Sequence, residues 1–160
     1  MIKRVIVFLF IFCLLSCEPV QHAQKKKTSS HKPVYSCLTS QSACEVNTEF
    51  GRFTLLFSGK ESKGKLKTEL PFQLQLRFEP ISDKYQVANT GGYLEGKTMF
   101  MGKIPVFFEQ GNTNIWLAQT LLASCSEEVM TWQLWIQVEI LAHDKKHQQE
   151  FFIDFDSVRL

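Results

Sequence analysis

Four sulfur-bearing side chains are the residues in this sequence whose types and spacing best suit chemistry. Met99 and Met101 flank Phe100, and in an extended chain two such side chains point to one face about 7 Å apart. Met130 lies five residues after Cys125. Thioether and thiolate sulfur are soft ligands that select Cu(I). A cluster of Met99, Met101, Cys125 and Met130 would therefore be a chemically sensible Cu(I) site.

The same residues also have a purely structural interpretation. Methionine fills irregular gaps in apolar cores, and a free cysteine behaves there as a small hydrophobic side chain. Trp132 follows Met130 closely and either shields a copper site or serves as the tryptophan of a core. Both interpretations require strands that bring distant parts of the chain together.

The first 16 residues have the parts of an export signal. Positive residues at positions 3 and 4 precede an apolar run of 11 residues, 5–15. A helix that spans a membrane needs about 20 residues, so this segment is predicted to be a signal peptide. The letters LLSC at residues 14–17 resemble the lipobox of bacterial lipoproteins, with leucine three residues and a small residue one residue before the cysteine. We therefore expect cleavage before Cys17 and acylation of that cysteine.

Residues 17–36 are predicted to form a lipidated, flexible tether. The segment is polar, contains two prolines and has no apolar period. Residue 18 is Glu and not Asp. By resemblance to the sorting rules of enteric bacteria, this favours the outer membrane over the inner membrane. The expected location is the bacterial cell envelope, on the outer membrane and facing the periplasm, with the membrane contacted through the lipid anchor.

The remaining cysteines predict one local disulfide. Beyond the inner membrane the compartment is oxidising, so disulfides are expected there. Cys37, Cys44 and Cys125 follow Cys17, and three thiols cannot all pair within one chain. Six residues lie between Cys37 and Cys44, and a bridge between them would fix the start of the first strand. A pairing of Cys125 with either of them is the open alternative.

Residues 37–160 are predicted to form a single β-sandwich domain. Residues 70–79 alternate apolar and polar side chains, the period of a half-buried strand. The alternation recurs at residues 53–57, 132–140 and 151–155, and more weakly at 85–87, 104–108 and 115–117. Gly91–Gly92 and Gly111–Asn112 are among the turn signals between them. About seven short strands predict an all-β, immunoglobulin-like antiparallel sandwich.

Charge and motif content exclude some function classes. The chain has 18 Lys and Arg, six of them before residue 37, and 16 Asp and Glu, one of them before residue 37. The predicted domain therefore has a net charge of −3 and lacks the basic footprint of a nucleic-acid-binding protein. The serines lie in no nucleophile motif, and the histidines fall in the tether or in a predicted turn. Nothing in the sequence predicts an enzyme.

Residues 96–106 read GKTMFMGKIPV, and Cys125 and Met130–Trp132 follow later in the chain. Together these residues resemble YtkA-like and FixH-like bacterial periplasmic domains. Those domains are immunoglobulin-like sandwiches with a methionine–glycine motif, a following strand and a late strand with tryptophan. The likeness covers roughly residues 50–140 and rests on Met101–Gly102 and the strand spacing. Because some of those domains accompany cytochrome oxidase assembly and copper delivery, the resemblance implies a Cu(I) role.

Two classes of function remain for the domain. The first is binding or delivery of Cu(I), which requires the four sulfurs to converge at one end of the sandwich with Cys125 outside any disulfide. The second is a non-catalytic interaction module for another protein of the cell envelope, which would present loops or an edge strand. An exposed apolar patch or an unprotected strand edge would favour the second class.

Overall fold

The computed structural model describes residues 35–38, 40–59 and 65–160. The predicted signal peptide, Cys17 and most of the predicted tether lie outside the described residues. The described ranges form strands and connections. They contain no helix, and therefore no helix that could cross a membrane. The strand content agrees with the predicted fold class.

Eleven strands form the described part of the chain. They are β1 (Tyr35–Cys37), β2 (Ala43–Asn47), β3 (Gly51–Ser58), β4 (Leu66–Lys67), β5 (Phe72–Pro80), β6 (Tyr85–Gly96), β7 (Lys103–Val106), β8 (Glu109–Gln110), β9 (Ile115–Thr120), β10 (Val129–Ala142) and β11 (Lys145–Val158). One sheet has the order β1-β2-β3-β5-β9-β8 and the other the order β4-β11-β10-β6-β7. Their pairs are antiparallel apart from the short β4–β11 contact. The prediction of an all-β, mainly antiparallel sandwich is confirmed.

The core lies between the inner faces of the two sheets. In β10 every second residue from Met130 to Ala142 is buried, as the alternating sequence predicts. Aromatic side chains connect the sheets, with ring centroids 5.1 Å apart both for Phe53 with Phe151 and for Phe57 with Phe155. Such pairs add about 0.5–1.5 kcal/mol each to the stabilisation from buried area.

The structure differs from the sequence prediction in the number and bounds of the strands. Eleven strands replace the predicted seven, because strands of two or three residues such as β4 and β8 are too short to show an alternation. Gly91–Gly92, predicted as a turn, lies inside β6. A Cβ on Gly92 would stand 2.4 Å from the carbonyl oxygen of Trp135, so glycine here permits close approach to β10. β1 begins at Tyr35, two residues before the predicted domain boundary.

The predicted disulfide between Cys37 and Cys44 is confirmed, and Cys125 is free. The two bridged cysteines stand directly opposite each other in β1 and β2. The edge strand β1 also contacts the second sheet, since the Tyr35 ring lies 6.1 Å from that of Phe152. The bridge therefore fixes a strand of only three residues to its neighbour.

Removing the bridge with the double substitution Cys37→Ala and Cys44→Ala should lower the free energy of unfolding by about 2–3 kcal/mol. The physical reason is the gain in freedom of the unfolded chain across a short loop, in the chain-entropy account. Urea unfolding of the two proteins measures the difference. Dithiothreitol provides the control, because it should lower the midpoint of the wild type and leave the variant unchanged. Equal midpoints without reductant would contradict the prediction.

Candidate metal centre

Two of the predicted sulfur ligands are in direct contact at one end of the sandwich. Cys125 lies in the connection from β9 to β10, and Met130 is the second residue of β10. The Cys125 thiol donates to the Met130 sulfur over 3.5 Å and also lies 3.9 Å from the carbonyl oxygen of Glu127. Met130 is buried whereas Cys125 is half-buried. The pair therefore has one member in the core and one that is partly accessible to solvent.

Gly96, the last residue of β6, brings a third sulfur side chain to this place. A Cβ on Gly96 would stand 2.4 Å from the Met130 methyl carbon and 3.3 Å from the Met101 Cγ. It would also stand 2.2 Å from the carbonyl oxygen of Met99. Real side chains do not tolerate contacts below about 3 Å, so a side chain here would have to displace the Met99 carbonyl, which is backbone, as well as the Met130 methyl group.

The structure thus places the side chains of three of the four predicted ligands in one neighbourhood. Met101 and Met130 converge at Gly96, and Cys125 joins them through its contact with Met130. Met99 approaches Gly96 with its backbone carbonyl, and its half-buried side chain packs against the same core. We refer to Met101, Cys125 and Met130 as the sulfur cluster.

The loop of residues 97–102, which carries Met99 and Met101, is held at its base by polar contacts. The Lys97 amide donates to the carbonyl oxygen of Thr131 in β10 over 3.0 Å. The Lys97 ammonium donates to the Asp154 carboxylate of β11, and this hydrogen bond raises the pKa of Lys97 above its usual value. These contacts tie the beginning of the loop to β10 and β11.

Trp132 is a core residue beside the sulfur cluster. It lies two residues after Met130 on the inner face of β10 and opposite Gly96 in the register of β6. Its side chain is fully buried, and the indole N–H donates to the buried Ser157 hydroxyl over 3.0 Å. The tryptophan therefore forms part of the rigid support beneath Met130.

Two donor atoms of the cluster are spaced as they would be on a soft metal ion. With a metal–sulfur bond of about 2.3 Å, as for zinc thiolates, two sulfurs on one tetrahedral ion lie about 3.8 Å apart. The separation of Cys125 and Met130 is 3.5 Å. Among the described residues, no three His, Cys, Asp or Glu side chains are grouped to hold a metal ion. The arrangement accordingly offers thioether and thiol sulfur, the ligands that suit Cu(I).

Sequence analysis did not identify Gly96 as part of the site. The residue ends an alternating strand and directly precedes the loop with both methionines. Glycine at such a position indicates close approach of another group, which is the signal that could have identified it.

The sulfur cluster lies at one end of a mainly antiparallel β-sandwich. No protein-family model matches the sequence, and no curated protein matches it. Among solved structures, the chain is similar to a DUF4785 family protein from Legionella pneumophila, with a TM-score of 0.55 and 12% sequence identity. The match covers 71% of this chain and 30% of that chain. At this identity the likeness concerns the fold alone.

Proposed function

We propose that this domain binds Cu(I) at the sulfur cluster and is held to a bacterial membrane by lipid on Cys17. The observation that supports the proposal is that the Met101 and Met130 side chains lie together beside Gly96, while the Cys125 thiol contacts the Met130 sulfur. Three neighbouring side chains with soft donor atoms match the preference of Cu(I) for thiolate and thioether ligands. Met99 lies in the same loop as Met101 and is available as a fourth ligand.

The exposure of the cluster favours cargo binding over simple core packing. Met130 is buried, but Met101 and Cys125 are each half-buried. Thiol and thioether groups that only fill a core gap have no need of access from solvent. A cluster that opens to the surface allows an ion to enter and leave.

The anchor and tether suit delivery close to a membrane. With lipid on Cys17 and a polar tether that ends before β1, the domain would remain near the membrane while turning freely. The resemblance to YtkA-like and FixH-like domains connects such a domain with the assembly of cytochrome oxidases. Delivery of Cu(I) in that process is the physiological role we propose.

Anaerobic titration with Cu(I) against a competing chelator should give one tightly bound ion per chain. Cys125→Ser and Met130→Leu each remove a ligand at nearly constant volume. Each should weaken binding by more than the 10–100-fold that outer-shell changes typically cost. The Cys37→Ala, Cys44→Ala variant is the matched control, since it removes two sulfurs outside the cluster and should bind as the wild type does.

Two results would overturn the copper proposal. One is a wild-type chain that does not compete with the chelator for Cu(I). The other is binding that survives both Cys125→Ser and Met130→Leu, because the ion would then be held elsewhere.

A second candidate function is a non-catalytic interaction module of the cell envelope. Phe107 is 77% exposed and, with the exposed Leu117, lines a cavity of about 340 Å³ beside β9. On the side of β9 that faces the cavity, β8 pairs only with Trp116 and Leu117. Within the described residues, Ala118–Thr120 therefore has no strand partner on that side. An open strand edge beside apolar side chains favours addition of an extended peptide.

A further inference from the structure

The loop that contributes Met101 to the sulfur cluster also carries the most exposed large apolar side chain of the described residues. Phe100 is 93% exposed, whereas Met99 and Met101 on either side are half-buried. Fully burying a phenylalanine is worth about 1.5–3 kcal/mol. A ring held in water directly beside the cluster is therefore suited to contact another molecule.

The other side of the cluster carries two carboxylates and one arginine. Glu127 and Glu128 follow Cys125 closely, and both are exposed. Among the described residues neither glutamate forms an ion pair, but the Arg159 guanidinium lies beside the same segment and donates to the carbonyl oxygen of Ser126 over 3.2 Å, so this side of the cluster has one negative charge in excess. An excess of one charge at the rim of a contact surface mainly raises the rate and selectivity of association.

We infer that Phe100, Glu127 and Glu128 form the docking face for a protein that exchanges Cu(I) with the sulfur cluster, an inference that rests on the proposed function. The face is continuous with the cluster, and exchange of ligands requires the two ligand sets to touch. The partner has its own sulfur ligands, an apolar recess for Phe100 and Lys or Arg opposite the glutamates.

The exchange itself leaves the oxidation state of the metal unchanged. Each copper–sulfur bond broken in this chain is replaced by one to a sulfur of the partner. When the incoming ligand is a thiol, it loses its proton as it binds, and a proton returns to the Cys125 thiolate. No oxidant or reductant is required.

The experiment places a photo-crosslinking residue, p-benzoylphenylalanine, at position 100 of the full chain in the bacterium that makes it. Position 81 is the matched control, because Ile81 is 72% exposed and precedes β6 at the end away from Gly96. Irradiation with and without added copper should give a copper-dependent adduct from position 100 alone. Mass spectrometry should show that the captured protein has a cysteine- or methionine-based Cu(I) site.

Transfer between the purified proteins then tests the mechanism. Phe100→Ser should slow transfer of Cu(I) to the captured partner about tenfold, the effect of losing one aromatic contact, without changing Cu(I) affinity or transfer to a small chelator. Glu127→Gln with Glu128→Gln should slow transfer at low salt and have less effect at high salt.

Failure of this inference is distinguishable from failure of the proposed function. A wild-type chain that binds Cu(I) but gives no copper-dependent adduct, or the same adduct from position 81, overturns the docking face and leaves the metal site. Unchanged transfer by Phe100→Ser also overturns it. A chain that binds no Cu(I) overturns both.

Discussion

Gly96→Ala is expected to weaken Cu(I) binding by about 100-fold, the upper end of the losses seen when a metal site loses its supporting shell. The new methyl group would stand 2.4 Å from the Met130 methyl carbon and 2.2 Å from the carbonyl oxygen of Met99. The second contact is with backbone, so the loop of residues 97–102 must move away with Met101. Chelator competition measures the loss of affinity without any change in the ligands themselves.

Gly91→Ala provides the matched control for this substitution. Gly91 lies in the same strand, β6, and a Cβ there would meet nothing within 4 Å. Both substitutions change the intrinsic strand preference equally, so only contact with the sulfur cluster distinguishes them. We expect Gly91→Ala to bind Cu(I) as the wild type does. Similar affinities for the two variants would show that Gly96 does not position the ligands.

Trp132→Ala should give the largest loss of stability, about 3–5 kcal/mol. The indole is fully buried, so its removal leaves a cavity between the sheets. The substitution also leaves the buried Ser157 hydroxyl without the indole N–H that it accepts. A buried polar group without a partner adds about 1–3 kcal/mol to such a loss. Equilibrium unfolding in urea measures the change.

The matched control is Trp135→Ala, on the opposite face of the same strand. Trp135 is half-buried; its indole N–H donates to Glu95 over 2.7 Å, and its ring lies 4.9 Å from that of Phe152. Loss of these surface contacts should cost about 1–2 kcal/mol, as is usual outside a core. Equal losses at positions 132 and 135 would contradict the assignment of Trp132 to the centre of the core.

Much of the fold could be predicted because the strands carry a strong local signal. In residues 72–78 and 132–140 every second side chain is apolar, and the structure buries each of these side chains. The Cys37–Cys44 bridge was also predictable, since a short spacing closes at little entropic cost. Both features are determined by residues that lie close together in the sequence.

The features of the structure that could not be predicted from the sequence depend on contacts between distant segments of the chain. Gly91–Gly92 has the composition of a turn, but β10 pairs alongside it and extends β6 through both residues. The meeting of Met101 with Met130 depends on the register that places Gly96 opposite Trp132. Because Gly96 has no side chain of its own, residue type alone does not reveal its role.

The sulfur cluster joins two connections that are far apart in the sequence, the loop of residues 97–102 and the segment that ends at Met130. An ion held by both would act as a removable cross-link between them. At a free ion concentration 100-fold above its dissociation constant, such a ligand stabilises the folded state by about 2.7 kcal/mol. The loaded domain would therefore resist the proteases of its compartment better than the empty one, so that its lifetime would follow its copper supply.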